Sequence, residues 1–164
     1  MYARPFIDSL DFAGKRQEIS GEVPITELPR LHDILENQQG ILSYRIRGGV
    51  DNQANHFLDV SVNGRCRARC QRCLKGMDYP IQLDTRLLLR DQAGLDALGE
   101  KDDEFDSVLA EVQLDVLKLL EDEILLSLPI APRHEQGACQ LAVGSSRQQD
   151  ERHPFAALAK LKRN

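Results

Sequence analysis

The chain has 164 residues, 41% of them hydrophobic and 29% charged, with a formal net charge of −5. That length suits one domain, or one domain with a flexible tail, and buries roughly two thirds of the unfolded surface without disulfide support. The acidic balance excludes nucleic-acid binding spread over a broad face, and no stretch approaches the ~20 apolar residues of a membrane span.

The N-terminal MYARPFIDSLDF lacks the apolar run and small-residue cleavage site of a signal peptide. The expectation is a cytoplasmic protein with reduced thiols, in which four cysteines point to metal, catalysis or packing before disulfides. Residues 22–37 place Ile25, Leu28, Leu31 and Ile34 three apart, with Pro29 between them, and predict a short helical segment. From residue 40 the period changes to two. In ILSYRIRG, Leu42, Tyr44 and Ile46 oppose Ser43, Arg45 and Arg47, the pattern of a half-buried strand.

The run HFLDVSVNGRCRARC extends that pattern. Leu58, Val60, Val62, Gly64, Cys66, Ala68 and Cys70 fall on one parity, and Asp59, Ser61, Asn63, Arg65, Arg67 and Arg69 on the other. Successive strand side chains point to opposite faces, so one long strand displays the three arginines together and leaves Cys66 as a space-filling core residue. After the turn CQRCLKGMD, Met77, Tyr79, Ile81, Leu83, Leu87 and Leu89 again share a parity, which predicts a second long strand antiparallel to the first. Pro80 lies on its outward parity and hints at a sheet edge.

Residues 91–107 read as an acidic loop with about one helical turn. LDVLKLLEDEILLSLP, 114–129, predicts a helix ended by Pro129. At 100° per residue, Val116, Leu117, Leu120, Ile124 and Leu128 form its apolar stripe. Leu119 and Leu126 lie off the stripe on the acidic side, so the helix is either covered on two faces or shows an apolar strip to a partner. Residues 133–153 have linker composition. HPFAALAKLKRN predicts a short C-terminal helix with Phe155 and Leu158 on one face, a second candidate contact for a partner.

The architecture expected is therefore α+β: a bent antiparallel sheet, one main packed helix, a short N-terminal helical segment and a short C-terminal helix on a flexible linker. The core domain is expected over residues 1–132, the linker over 133–153 and the terminal helix over 154–164.

Cys70-Gln-Arg-Cys73-Leu-Lys-Gly76 has the form of a metal knuckle, with Gly76 letting the backbone fold back. Two thiolates in a tight turn face one ion, and a structural Zn²⁺ takes four ligands, usually Cys and His. The chain offers His134 and Cys139 as the remaining pair. Three thiolates and a neutral histidine leave the site at −1, which Arg69 and Arg72 offset. The competing readings are a redox pair, which ordinarily sits at a helix N-terminus, and reduced cysteines without a role. Arg65, Arg67, Arg69, Arg72 and Lys75 make a local basic cluster, a candidate RNA contact whose plain alternative is a solvated sheet face. No nucleophile motif, phosphate loop, dinucleotide fingerprint or paired acid and base is present. No site for a small-molecule substrate is evident.

Three motifs in order carry a resemblance. The turn CQRCLKGMDYPIQL, the helix LLEDEILLSLPIAPRH followed by Cys139, and the terminal PFAALAKLK are together similar to the YceD family of large ribosomal RNA subunit accumulation proteins. The resemblance implies a small non-catalytic factor that supports 23S rRNA accumulation and large-subunit assembly. Its expected partners are large-subunit rRNA, its precursor, or a ribosomal or rRNA-processing protein. Many relatives carry a second Cys pair after the helix, where this chain has His134 and Cys139. The alternative kept beside it is a thiol-redox or rRNA-processing enzyme using the CQRC turn.

Overall fold

A computed structural model describes residues 4–97 and 105–139. Phe155, Leu158 and the expected terminal helix lie outside the described residues. The chain is α+β, built on a five-stranded sheet of order β2-β3-β4-β5-β6: Glu18–Pro24, Ile41–Val50, His56–Arg69, Gly76–Arg90 and Asp106–Leu109. The first four strands pair antiparallel, while β6 runs parallel to β5 across Leu87–Arg90. The sheet is thus mixed rather than wholly antiparallel. β6 covers only the far end of β5, so among the described residues Pro80 sits on a stretch with no neighbouring strand on that side, as its missing N–H requires.

Period-two patterning set the long strands. Leu42, Tyr44 and Ile46 of β3 and Leu58, Val60, Val62, Cys66 and Ala68 of β4 are buried, and Arg65, Arg67 and Arg69 are exposed on the opposite face. The main helix, Val116–Ser127, packs on the inner face of the sheet, and its N-cap Asp115 accepts from the amides of Leu117 and Lys118. It ends at Leu128, whose extended backbone is what a following proline imposes. Val116, Leu117, Leu120 and Ile124 form the buried stripe. Among the described residues no helix is long and apolar enough to cross a membrane.

Numbering the remaining elements in chain order, β1 (Phe6–Ile7) pairs with β7 (Leu114–Asp115), α1 is Ser9–Gly14, α2 is Gln92–Asp96, and the main helix is α3. Helix α1 crosses β3 so closely at Gly48 that a Cβ there would come 2.7 Å from the Phe12 carbonyl. The segment with a spacing of three folds as two 3-10 turns, Ile25–Glu27 and Pro29–Leu31. In that geometry side chains three apart eclipse, which buries Ile25, Leu28 and Leu31 together. Ile34 breaks the series. It is 41% exposed, and Leu35 turns inward instead to bridge Ala68 at the end of β4.

Glu121 of α3 is buried and accepts a 2.9 Å hydrogen bond from the Arg30 backbone amide, while Arg30 pairs with Asp122. The 3-10 segment is therefore tied to the flank of the helix that borders its apolar stripe. Leu119 belongs to the core at 5% exposed, so it is not a docking residue; Leu126, at 78%, is exposed.

Candidate metal centre and the cationic knuckle

The connection from β4 to β5 is a six-residue turn, 70–75. Cys70 donates its amide to the Lys75 carbonyl at 2.9 Å, and Leu74 donates to the Cys70 carbonyl at 2.9 Å. The turn closes through Leu74 at φ 61°, a left-handed residue. The backbone reversal thus falls on Leu74 and not on Gly76. Gly76 is already in β5, where a Cβ would overlap the Glu36 carboxylate. The Gln71 amide donates to the Pro132 carbonyl at 2.8 Å, which fixes the chain leaving α3 against the turn. A second turn, closed by the Ala138 amide on the Glu135 carbonyl with Gly137 at φ 90°, brings Cys139 back.

All four residues expected from the sequence meet there. The ligand atoms of Cys70, Cys73, His134 and Cys139 lie within 4.8 Å of one another. Cys70 Sγ is 3.8 Å from Cys139 Sγ, and Cys73 Sγ is 3.5 Å from His134 Nδ1. An ion with tetrahedral ligands, sulfur at about 2.3 Å and nitrogen at about 2.0–2.1 Å, separates two sulfurs by about 3.8 Å and sulfur from nitrogen by about 3.5 Å. A disulfide would need about 2.05 Å, and all four cysteines are free. The group can hold one metal ion.

The thiols are electrostatically unequal. Burial opposes ionisation of Cys70, but the amides of Cys73, His134 and Arg72 more than offset it and hold the thiol down at about 5. Arg72 N lies 3.4 Å from that sulfur. Burial together with the neighbouring sulfurs of Cys73 and Cys70 pushes Cys139 up to about 11. Such a cluster takes its first negative charge more readily than its last. Cys66, one turn of the pleat away, plays no part. It is buried in the core, and burial pushes it up to about 11.

The outer sheet face divides into two electrostatic halves. Toward the far end of β4, Arg47 lies 2.9 Å from Glu18, and Arg86 makes two bonds to Asp59 at 2.6 and 2.9 Å while stacking over Phe57. Toward the knuckle, only Arg67 is engaged, at 2.6 Å from Glu36 and 3.4 Å from Asp78. Arg65, Arg69, Arg72 and Lys75 are exposed and have no carboxylate partner among the described residues. Arg133, beside His134, adds a further exposed cation that sequence spacing did not single out, because it is distant from the basic cluster in the chain and is brought to it by the Gln71–Pro132 bond and the Cys73–His134 contact.

A family model described as "Large ribosomal RNA subunit accumulation protein YceD" matches residues 58–162. The chain belongs to the YceD family. The match takes in β4, the knuckle, β5, α3 and both later ligands, His134 and Cys139. The YceD description implies a role in accumulation of the large-subunit ribosomal RNA and names no enzymatic activity. No solved structure matches the chain.

Proposed function

We propose that this YceD-family protein supports 23S rRNA accumulation and large-subunit assembly by binding, without catalysis. A structural Zn²⁺ on Cys70, Cys73, His134 and Cys139 stiffens the turn, and the cations around it contact rRNA phosphates. The observation that supports this reading most directly is the asymmetry of the sheet face: Arg65, Arg69, Arg72 and Lys75 stand without carboxylates beside the metal cluster, while the arginines at the other end are neutralised. In a chain of net charge −5 this patch is the local exception that a phosphate contact needs. Zn²⁺ with three thiolates and a neutral imidazole leaves −1, which Arg69 and Arg72 balance.

The test is binding of labelled large-subunit rRNA fragments across a salt series. Four phosphate contacts to single-stranded RNA give a log–log slope of about −3. Arg69→Glu and Arg72→Glu should each weaken binding and flatten the slope, and Arg67→Glu should do less because Glu36 and Asp78 already neutralise it. Affinity independent of salt would overturn the phosphate reading.

The low thiol of Cys70 favours one second reading, a thiol-redox enzyme at the CQRC turn. It requires metal-free protein that reduces a model disulfide. One zinc per chain with unreactive thiols removes it.

A further inference from the structure

Leu74 is the exposed apolar residue of the knuckle, and its backbone is in the left-handed region at φ 61°. A bulky side chain is seldom found there, since its Cβ crowds the following carbonyl; glycine or asparagine takes the position more easily. The strain is not offset by packing, because the leucine is 68% exposed and outside the core cluster. Single exposed leucines are ordinary on protein surfaces. This one combines exposure with a backbone state that disfavours it, on a rigid turn, with the exposed Arg72 and Lys75 on either side.

Resting on the binding reading above, we infer that Leu74 is a base-contacting tip: it packs on an unstacked base of single-stranded RNA while Arg72 and Lys75 hold the adjoining phosphates. Aliphatic side chains do pack on base faces: minor-groove proteins wedge leucine and isoleucine between the base steps of duplex DNA beside their cations, at the cost of unstacking, a cost that an already unstacked base spares. The cations decide for a polyanion over an apolar protein groove, since neither Arg72 nor Lys75 is paired with a carboxylate among the described residues; Glu36 and Asp78 nearby are engaged by Arg67. A paired A-form helix offers such a tip nothing, because its deep groove is closed to side chains and its shallow groove presents hydroxyls and base edges. The ligand class is therefore RNA with splayed bases, as in loops and unpaired precursor segments. Strain that the fold does not need is then kept because it presents the side chain outward.

The experiment uses the full chain, zinc-loaded, with a labelled single-stranded oligoribonucleotide and the same strand annealed to its complement. Leu74→Asn and Leu74→Gly both accept the backbone and remove the apolar tip. Each is expected to weaken single-strand binding about tenfold at every salt concentration with the slope unchanged, and to erase the preference over duplex. Leu74→Met is expected to stay within about threefold of wild type, since it restores comparable apolar surface. Metal content separates contact from collapse; if the Asn variant loses zinc, the Gly variant decides. Wild-type affinity in a zinc-loaded Leu74→Gly protein overturns the inference while leaving the cationic face intact. Equal wild-type affinity for duplex overturns it as well. Absence of any salt-dependent RNA binding by the wild type brings down the binding reading and this inference together.

Discussion

Cys70 Sγ and Cys139 Sγ lie 3.8 Å apart although 69 positions separate them in the chain. The contact joins the end of β4 to the chain leaving α3, two segments otherwise linked through the Gln71–Pro132 bond. If the cluster holds the ion proposed above, a Cys139→Ser variant is expected to lose it and to leave Cys70 and Cys73 open to thiol reagents. A strong chelator should expose residues 133–139 to proteolysis while the sheet and α3 stay folded, because the hydrophobic core lies apart from the site. Metal analysis and mass spectrometry of protease fragments check both outcomes. Metal-dependent melting of the whole domain would contradict this, as would a Cys139→Ser protein that keeps its zinc.

Glu121 carries a second long-range tie. Its carboxylate satisfies the Arg30 amide in a buried setting. Truncation in Glu121→Ala leaves that amide without a partner, at a cost of about 1–3 kcal/mol in urea unfolding. Glu121→Gln keeps an acceptor and should lose less. The neighbouring Arg30–Asp122 pair is half exposed, and Asp122→Asn should cost under about 1 kcal/mol.

Glu123 is buried at 6% exposed and has no hydrogen-bond or ion-pair partner among the described residues. Burial, with Asp106 and Asp122 adding to it, raises its carboxyl above the ordinary range. A raised folded pKa means that its favourable contribution is complete below the unfolded carboxyl pKa and is lost as pH rises through the folded one. Glu123→Gln should therefore stabilise the protein at pH 7 and lose that gain toward pH 4. Denaturation midpoints at the two pH values decide it; an equal gain at both would point to packing instead.

Cys66 gives the alkaline counterpart. Burial moves its thiol from 9.0 to about 11. The buried neutral thiol contributes fully below pH 9, and that contribution is lost as pH rises from 9 toward 11. The loss is on the order of 1–2 kcal/mol once partial solvation at the edge of the core is allowed for. Cys66→Ala should be less stable than wild type at pH 8, and the gap should narrow by pH 10.5. A gap independent of pH would show that Cys66 acts through volume alone.

The long strands could be read from sequence because each is half buried, so alternation records the face of most residues of β3, β4 and the first part of β5; it fails at Gly48–Gly49 and at Leu87–Leu89, where neighbours on both faces bury the strand. The candidate metal residues were legible for another reason: two thiols separated by two residues in a tight turn can face one ion. The 3-10 segment betrayed its spacing but not where it ended, since Leu35 is drawn inward by the end of β4, a partner 33 positions away. β6 left no signal. Four residues, two of them half buried, are too few for a period, and its parallel pairing depends on β5. Periodicity alone left Leu119 open between a second covered face and a partner-facing strip, because it describes one stripe; its burial shows that α3 is covered beyond that stripe. Nor does composition disclose that Leu74 takes the left-handed backbone, because the turn is closed by hydrogen bonds around Cys70 and not by a glycine.

The sheet order carries one more consequence. The stretch by which the family is recognised begins at residue 58, two residues into β4, yet ten of the twenty-three residues in the buried cluster come before it, from Phe12 to Ile46. The recognisable segment and the cooperative unit are different lengths of chain. A gene trimmed to the family boundary would encode a β4 whose whole β3-facing edge is bare, an invitation to pair with its own copies. Its insolubility would say nothing about the knuckle. Any binding or metal measurement on this protein has to begin from a chain that includes α1, β2 and β3.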